Sequence, residues 1–256
     1  MTRHPYFDTG GAVAALAHRG FSREGLENSM SAFAAAVDLG YRYVETDAHG
    51  TADGVAVALH DASLDRTTDA RGNVSRLNWA QVRTAKIGGV EPVPLLEDLL
   101  GTWPDLRVNV DVKATSGIRP IADAIERTKS HDRVCVASFS AARRRATVKL
   151  LSRPVATSAG TGEFASFLAR TSMRGKAGRS LRNVDALQVP TSVGRMPTLR
   201  RRQVEAVHAS GRLVYVWTIN DPAQMEALVD LGVDGLVSDR ADLLRDVLQR
   251  RGRWMA

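Results

Sequence analysis

The stretch Arg107-Val108-Asn109-Val110-Asp111-Val112-Lys113 alternates valine with polar and charged residues. In an extended strand, side chains two apart share a face, so Asn109, Asp111 and Lys113 point one way and the three valines the other. The valine face asks for a covering layer of helices. A face with an amide, a carboxylate and an ammonium asks instead for a polar mouth, and a barrel strand ending at a site satisfies both demands. The run Tyr43-Val44-Glu45-Thr46-Asp47 repeats the pattern, with Glu45 and Asp47 on one face and Val44 and Thr46 on the other.

Outward from these two runs, β-rich and helical segments alternate at a steady pace, the mark of parallel β/α units. Strands are expected over 14–18, 43–47, 107–113, 134–139, 154–158, 186–189, 213–218 and 235–238. Helices are expected over 30–39, 95–100, 118–128, 141–151, 163–169, 199–209, 222–231 and 241–249, with Gly40, Gly211 and Gly232 placed to cap three of them in the left-handed conformation. Eight such units suit either a closed (β/α)8 barrel or a doubly wound open sheet. No Gly-x-Gly-x-x-Gly follows the first strand, so the α/β class with a closed barrel is the expectation. At 256 residues the chain has the usual size of one such barrel, a single domain over 1–256.

Two interruptions stand out. His49-Gly50-Thr51-Ala52-Asp53-Gly54 leads into Val55 to His60 and reads as a hairpin extending the second strand. The stretch from about 61 to 94 then precedes the next helix, and reads as a small insertion projecting from the C-terminal rim.

With 44% hydrophobic and 25% charged residues the chain can build a large core. Its one cysteine, Cys135, lies in Val134-Cys135-Val136, a buried strand position, and fits a reducing compartment. Neither a signal peptide nor a membrane span is evident, so a cytoplasmic location is expected. The net charge of +7 gathers in Arg143-Arg144-Arg145, Arg200-Arg201-Arg202 and Arg250-Arg251-Gly252-Arg253. The first two clusters fall in expected helices, aromatic residues are only 5%, and no nucleic-acid module is present, so these read as solvated faces with at most weak attraction to anionic substrates or lipid headgroups.

The chemistry concentrates at strand ends. His18 in Ala17-His18-Arg19-Gly20 and His60 in Leu59-His60-Asp61 can move protons, and Glu45, Asp47 and Asp111 would converge in one mouth. Buried carboxylates need compensation, and an oxygen-only set favours Mg²⁺ or Ca²⁺ over zinc. Taken singly, each residue has a structural reading: Asp111 and Lys113 as an ion pair, Glu45 as a loop cap, Arg19 as a rim pair with Glu24 or Glu27. Together they are the inventory for hydrolysing a phosphodiester.

The run His18-Arg19-Gly20, Glu27-Asn28-Ser29, Ala32-Phe33, Gly40, Glu45-x-Asp47, Thr51-x-Asp53-Gly54 and His60-Asp61 through Leu64-Asp65-Arg66-Thr67-Thr68 resembles the glycerophosphodiester phosphodiesterase family. The likeness continues through Asn109 to Lys113, Ser138-Phe139, Val216 to Asn220 and Gly232 to Asp239. It implies a TIM barrel with a small insertion after the second strand. It also implies hydrolysis of glycerophosphodiesters to an alcohol and glycerol 3-phosphate. By this similarity His18 and His60 form the acid/base pair, Glu45 and Asp47 hold a divalent cation, and Arg19, Lys113 and Trp217 contact a small-molecule substrate. Asp111 departs from the family pattern, which has Glu in the third strand, and reaches roughly 1.5 Å less far, one carbon–carbon bond. Two other functions fit the residues: a lysophospholipase D-like enzyme with an apolar groove, or a barrel that only binds anionic phosphodiesters or membrane surfaces.

Overall fold

The structure, a computed structural model, describes residues 3–172, 178–193 and 196–255. Its parallel strands are β1 (Ala14–His18), β2 (Tyr43–Gly50), β3 (Arg107–Val112), β4 (Val134–Ala137), β5 (Ala156–Thr157), β6 (Ala186–Pro190), β7 (Leu213–Trp217) and β8 (Gly235–Ser238). They follow one another in order around the sheet, and β1 pairs with β8 from Ala14↔Gly235 to Ala17↔Ser238. Pairing of first with last strand separates a barrel from an open sheet. The remaining seam, between β5 and β6, is spanned by the parallel bridge Ser158↔Ala186 and by the Ala159 N–H donating to the Ala186 carbonyl at 2.9 Å, so the barrel is nearly closed.

The surrounding helices are α1 (Met30–Asp38), α2 (Leu96–Thr102), α3 (Ile118–Thr128), α4 (Ala141–Val148), α5 (Thr161–Ser172), α6 (Arg201–His208), α7 (Pro222–Leu231) and α8 (Ala241–Arg250). Local chemistry sets their ends. Ser29 accepts the Ala32 N–H to start α1; Asp221 and Pro222 start α7, and Gly232, at φ 90°, ends it. Among the described residues no helix is long and apolar enough to cross a membrane.

The valines of β3 pack outward with Ile121, Ala124 and Ile125 of α3 in the main core. Inside the barrel the lower layer is apolar, formed by Leu16, Tyr43, Cys135, Leu213, Tyr215 and Val237. Tyr6 and Phe7 pack into the same cluster, sealing the N-terminal end of the barrel. Polar side chains are thereby left to the C-terminal mouth. Beyond β2 the chain turns back on Ala56–Ala58, antiparallel in register Ala48↔Ala58, as the hairpin reading expected. The insertion that follows has its own apolar cluster, including Leu59, Leu64, Val74, Val82 and Ile87.

Three expectations are corrected. The strand expected over 154–158 shrinks to Ala156–Thr157, because Pro154 has no N–H to give and the Thr157 N–H is taken by the Asp185 carboxylate at 2.9 Å. The strand expected over 134–139 stops at Ala137, and Phe139 turns out into the mouth, 53% exposed. The cluster Arg143-Arg144-Arg145 is not a solvated face throughout: Arg144 is 1% exposed, forked onto Glu163 at 2.7 and 2.9 Å.

Candidate active site

Strand register brings the acids and the first histidine together. His18 lies opposite Glu45 on β1 and β2, and Asp47 opposite Asp111 on β2 and β3. One cleft of about 400 Å³ at the C-terminal mouth is lined by every site residue expected from sequence: His18, Arg19, Glu45, Asp47, His60, Asp111, Lys113 and Trp217.

Each histidine has a carboxylate behind it. His18 Nδ1 is 2.6 Å from Asp239 Oδ1, leaving Nε2 for the cleft, where Glu45 Oε2 stands at 3.8 Å. Burial works against a charged His18 ring, but the hydrogen bond to Asp239 and the charge of Glu45 outweigh it and raise the pKa. Asp239 is itself held by the Asn220 amide at 2.7 Å and returns its own N–H to Asn220 Oδ1 at 2.9 Å. His60 Nδ1 is 2.6 Å from Asp61 Oδ1 in the same manner. A third ring, His49, is structural: its Nε2 donates to the His60 carbonyl at 3.2 Å, and burial lowers its pKa.

The loop after β1 presents the first cation. Arg19 takes φ 55°, unusual for a side-chain-bearing residue, and its N–H donates to Glu45 Oε2 at 3.2 Å. Gly20 follows at φ 82°, where a Cβ would meet the Ala32 backbone at 2.6 Å, so only glycine fits. The Arg19 guanidinium lies 3.0 Å from Asp47 Oδ2 and 3.0 Å from Glu27 Oε1. The Glu27 pairing foreseen as a rim contact is therefore present, together with a second contact inside the cleft. Buried Asn28 donates to Asp47 Oδ2 at 3.2 Å and accepts from Thr46 Oγ1 at 2.8 Å, fixing the aspartate's orientation.

Lys113 Nζ bridges two of the acids, 2.7 Å from Asp47 Oδ1 and 2.9 Å from Asp111 Oδ2. Burial would raise the Asp47 carboxyl, but Lys113 and Arg19 outweigh it and bring it below the usual aspartate range. Glu45 lacks such help. Burial first, then the charge of Asp47, pushes it up to about 8. Asp111 is also raised, chiefly by burial, and among the described residues its buried Oδ1 has no hydrogen-bond partner.

Three observations fit a divalent cation at this site: a carboxylate oxygen without a hydrogen-bond partner among the described residues, a glutamate short of positive charge, and an ammonium standing between two of the acids. The donors are all oxygen, as a hard divalent ion prefers. Among the described residues, however, no three acidic or imidazole side chains already close around one point. The expected ligands share a cleft, with Lys113 as their present counter-ion.

Across the cleft the lining is apolar. Phe139 and Trp217 meet edge to face at 5.6 Å and 77°, beside Phe164, Ala159 and Pro190. Sequence reasoning found Trp217 through family likeness, met Phe139 in the same likeness without giving it a role, and missed Phe164. It also gave no role to Asp239, Asp61 or Asn220, although each sits just past a strand or beside a named histidine, where such a partner is wanted.

The Glycerophosphoryl diester phosphodiesterase family profile matches residues 18–243, from His18 to beyond Asp239. The chain belongs to this family. A relative in Mycobacterium tuberculosis, named "Probable glycerophosphodiester phosphodiesterase 2", is 47% identical over 96% of this chain and 94% of its own. A lysophospholipase D of Rattus norvegicus is 34% identical over 40% of this chain and 37% of its own. Among solved structures, an Oleispira antarctica phosphodiesterase, in complex with the product sn-glycerol-3-phosphate, superposes with a TM-score of 0.76 at 20% identity. That match covers 93% of this chain and 97% of the other, and confirms the barrel.

Proposed function

We propose that this family member hydrolyses glycerophosphodiesters to an alcohol and glycerol 3-phosphate by paired-histidine acid–base catalysis assisted by a divalent cation. Family membership makes the chain an enzyme, a glycerophosphodiester phosphodiesterase. The observation that carries the finer reading is the pairing of two cleft imidazoles, each backed by a carboxylate at 2.6 Å on Nδ1. That arrangement leaves Nε2 of each ring as the proton-carrying atom facing the substrate.

The phosphodiester anion sits between Arg19 and Lys113, whose donors neutralise it and orient phosphorus toward the rings. The carboxylates around His18 favour its charged form, which suits the ring that gives a proton to the leaving alcohol. His60 takes the proton of the attacking oxygen. Each transfer contributes roughly 10² to 10⁴ in rate. Glu45, Asp47 and Asp111 would hold Mg²⁺ or Ca²⁺, which when bound neutralises phosphate charge as a Lewis acid. Lys113, which pairs with Asp47 and Asp111 and lines the same cleft, would then have an ammonium available to the phosphate.

The wall of Phe139, Trp217 and Phe164 receives the alcohol, and its apolar extent favours a second reading, a lysophospholipase D-like preference for acyl-bearing substrates. A reducing, cytoplasmic location accords with the single buried Cys135. A coupled assay for glycerol 3-phosphate released from glycerophosphocholine, with and without EDTA, tests the reading. Activity lost on chelation supports it; choline release from lysophosphatidylcholine alone supports the second. Silence with every metal leaves only a binder of anionic phosphodiesters.

A further inference from the structure

Arg66 lies in the insertion and has no part in the steps above, yet its guanidinium reaches two carboxylates at once. Nε donates to Asp61 Oδ2 at 2.5 Å; Nη2 donates to Glu27 Oε1 at 2.7 Å and Nη1 to Glu27 Oε2 at 3.3 Å. Each carboxylate has its other partner in the cleft. Asp61 Oδ1 holds His60 Nδ1 at 2.6 Å, and Glu27 Oε1 receives Arg19 Nη1 at 3.0 Å.

Exposed ion pairs usually contribute little, and the Arg66 side chain is 49% exposed. The fork makes this one different. One rigid plane satisfies both groups, so neither carboxylate can swing away without breaking a bond to the plane that holds the other. Nor is Arg66 needed to dock the insertion, which has its own apolar cluster and is tied to the barrel hairpin by the Trp79 N–H on Asp53 at 2.9 Å and the Ala52 N–H on the Leu77 carbonyl at 2.8 Å. The Asp61 carboxyl is held down at about 2, chiefly by the Arg66 hydrogen bond.

We propose that Arg66 is a positioning residue that ties the orientation of His60 to that of Arg19, through Asp61 and Glu27, so that the proton-transferring ring and the phosphate-binding guanidinium are set together. This rests on the roles given to His60 and Arg19 above. It assigns the insertion a catalytic purpose: it delivers the clamp.

Arg66→Gln, assayed on glycerophosphocholine, is expected to lower kcat at least about tenfold and to raise KM, with a melting temperature close to wild type. A mere structural anchor would lower the melting temperature and leave KM unchanged. Arg66→Lys should recover only part of the loss, because a point charge cannot fork onto two carboxylates. In an Asp61→Asn background Arg66→Gln should add less than about twofold to the fall in kcat, and in a Glu27→Gln background less than about twofold to the rise in KM. Wild-type kcat and KM in Arg66→Gln, or losses that multiply in full, overturn the proposal while the enzyme reading stands. Should Arg66→Gln fold poorly, full recovery of both constants in Arg66→Lys overturns it equally. A wild-type chain inactive with every metal would sink the functional reading, and the proposal with it.

Discussion

His18 and Asp239 meet through a 2.6 Å hydrogen bond between Nδ1 and Oδ1, although 221 positions separate them in the chain. The aspartate stabilises the charged ring and leaves Nε2 free to work. Asp239→Asn keeps the size and the contact with Asn220 but removes the charge, so the His18 pKa should fall from its raised value. We expect turnover to drop at least about tenfold, with the His18-governed limb of the pH–rate profile moving to lower pH. An unshifted profile would separate Asp239 from the reaction.

Removing either imidazole of the proton path is harsher: His18→Ala and His60→Ala should each reduce kcat at least about a hundredfold with an unchanged circular dichroism spectrum. Near-normal turnover in either variant removes that histidine from the mechanism.

Glu45 supplies a stability test. Its carboxyl is raised from 4.5 to about 8, mainly by burial, so the folded state keeps a proton that the unfolded chain has lost. Stability in chelator should therefore decline as pH rises between these two values. Glu45→Gln abolishes that charge and should melt a few degrees higher than wild type at pH 8 in EDTA, about 2–4 °C for each kcal/mol recovered. Added Mg²⁺ or Ca²⁺ should stabilise the wild type and not the variant. Identical pH dependence of melting in both proteins would contradict the assignment.

Chelation should abolish turnover, and returning the ion should restore it. Because Asp111 Oδ1 has no hydrogen-bond partner among the described residues, Asp111→Asn should raise the half-activating metal concentration at least about tenfold. Asp111→Glu, with longer reach, should retain activation. Activation indifferent to residue 111 would remove it from the ligand set.

Arg144 tests the fold beneath the site. Its guanidinium is forked onto Glu163, which also accepts the Gly160 N–H at 2.8 Å in the wall of the cleft. Arg144→Ala strands a partly buried carboxylate and should cost about 3–5 kcal/mol, read as a lower denaturant midpoint. A change under about 1 kcal/mol would return this arginine to the ordinary surface class.

Much of this was legible locally. The alternation in 107–113 and 43–47 placed acids on one face of each strand, because extended backbone allows only two directions for a side chain. Two histidines followed by Arg-Gly and by Asp were legible as motifs for the same reason: the chemistry is written in adjacent residues. Arg144 was misread since its neighbours Arg143 and Arg145 give no hint that the middle side chain turns inward to Glu163, a choice made by α5.

The order of elements, the α/β barrel class and the shared faces of Glu45 with Asp47 and of Asp111 with Lys113 follow from the chain alone, being set by periodicity and by short-range backbone preference. The Asp111–Lys113 pair was open to a reading along one strand, but tertiary structure alone decided the other partners: Asp239 for His18, Asp47 as the second carboxylate on Lys113, Arg66 across Asp61 and Glu27. Charge pairing acts through a few ångströms of space rather than along the chain, so it became visible only once barrel closure had brought distant strand ends into one mouth.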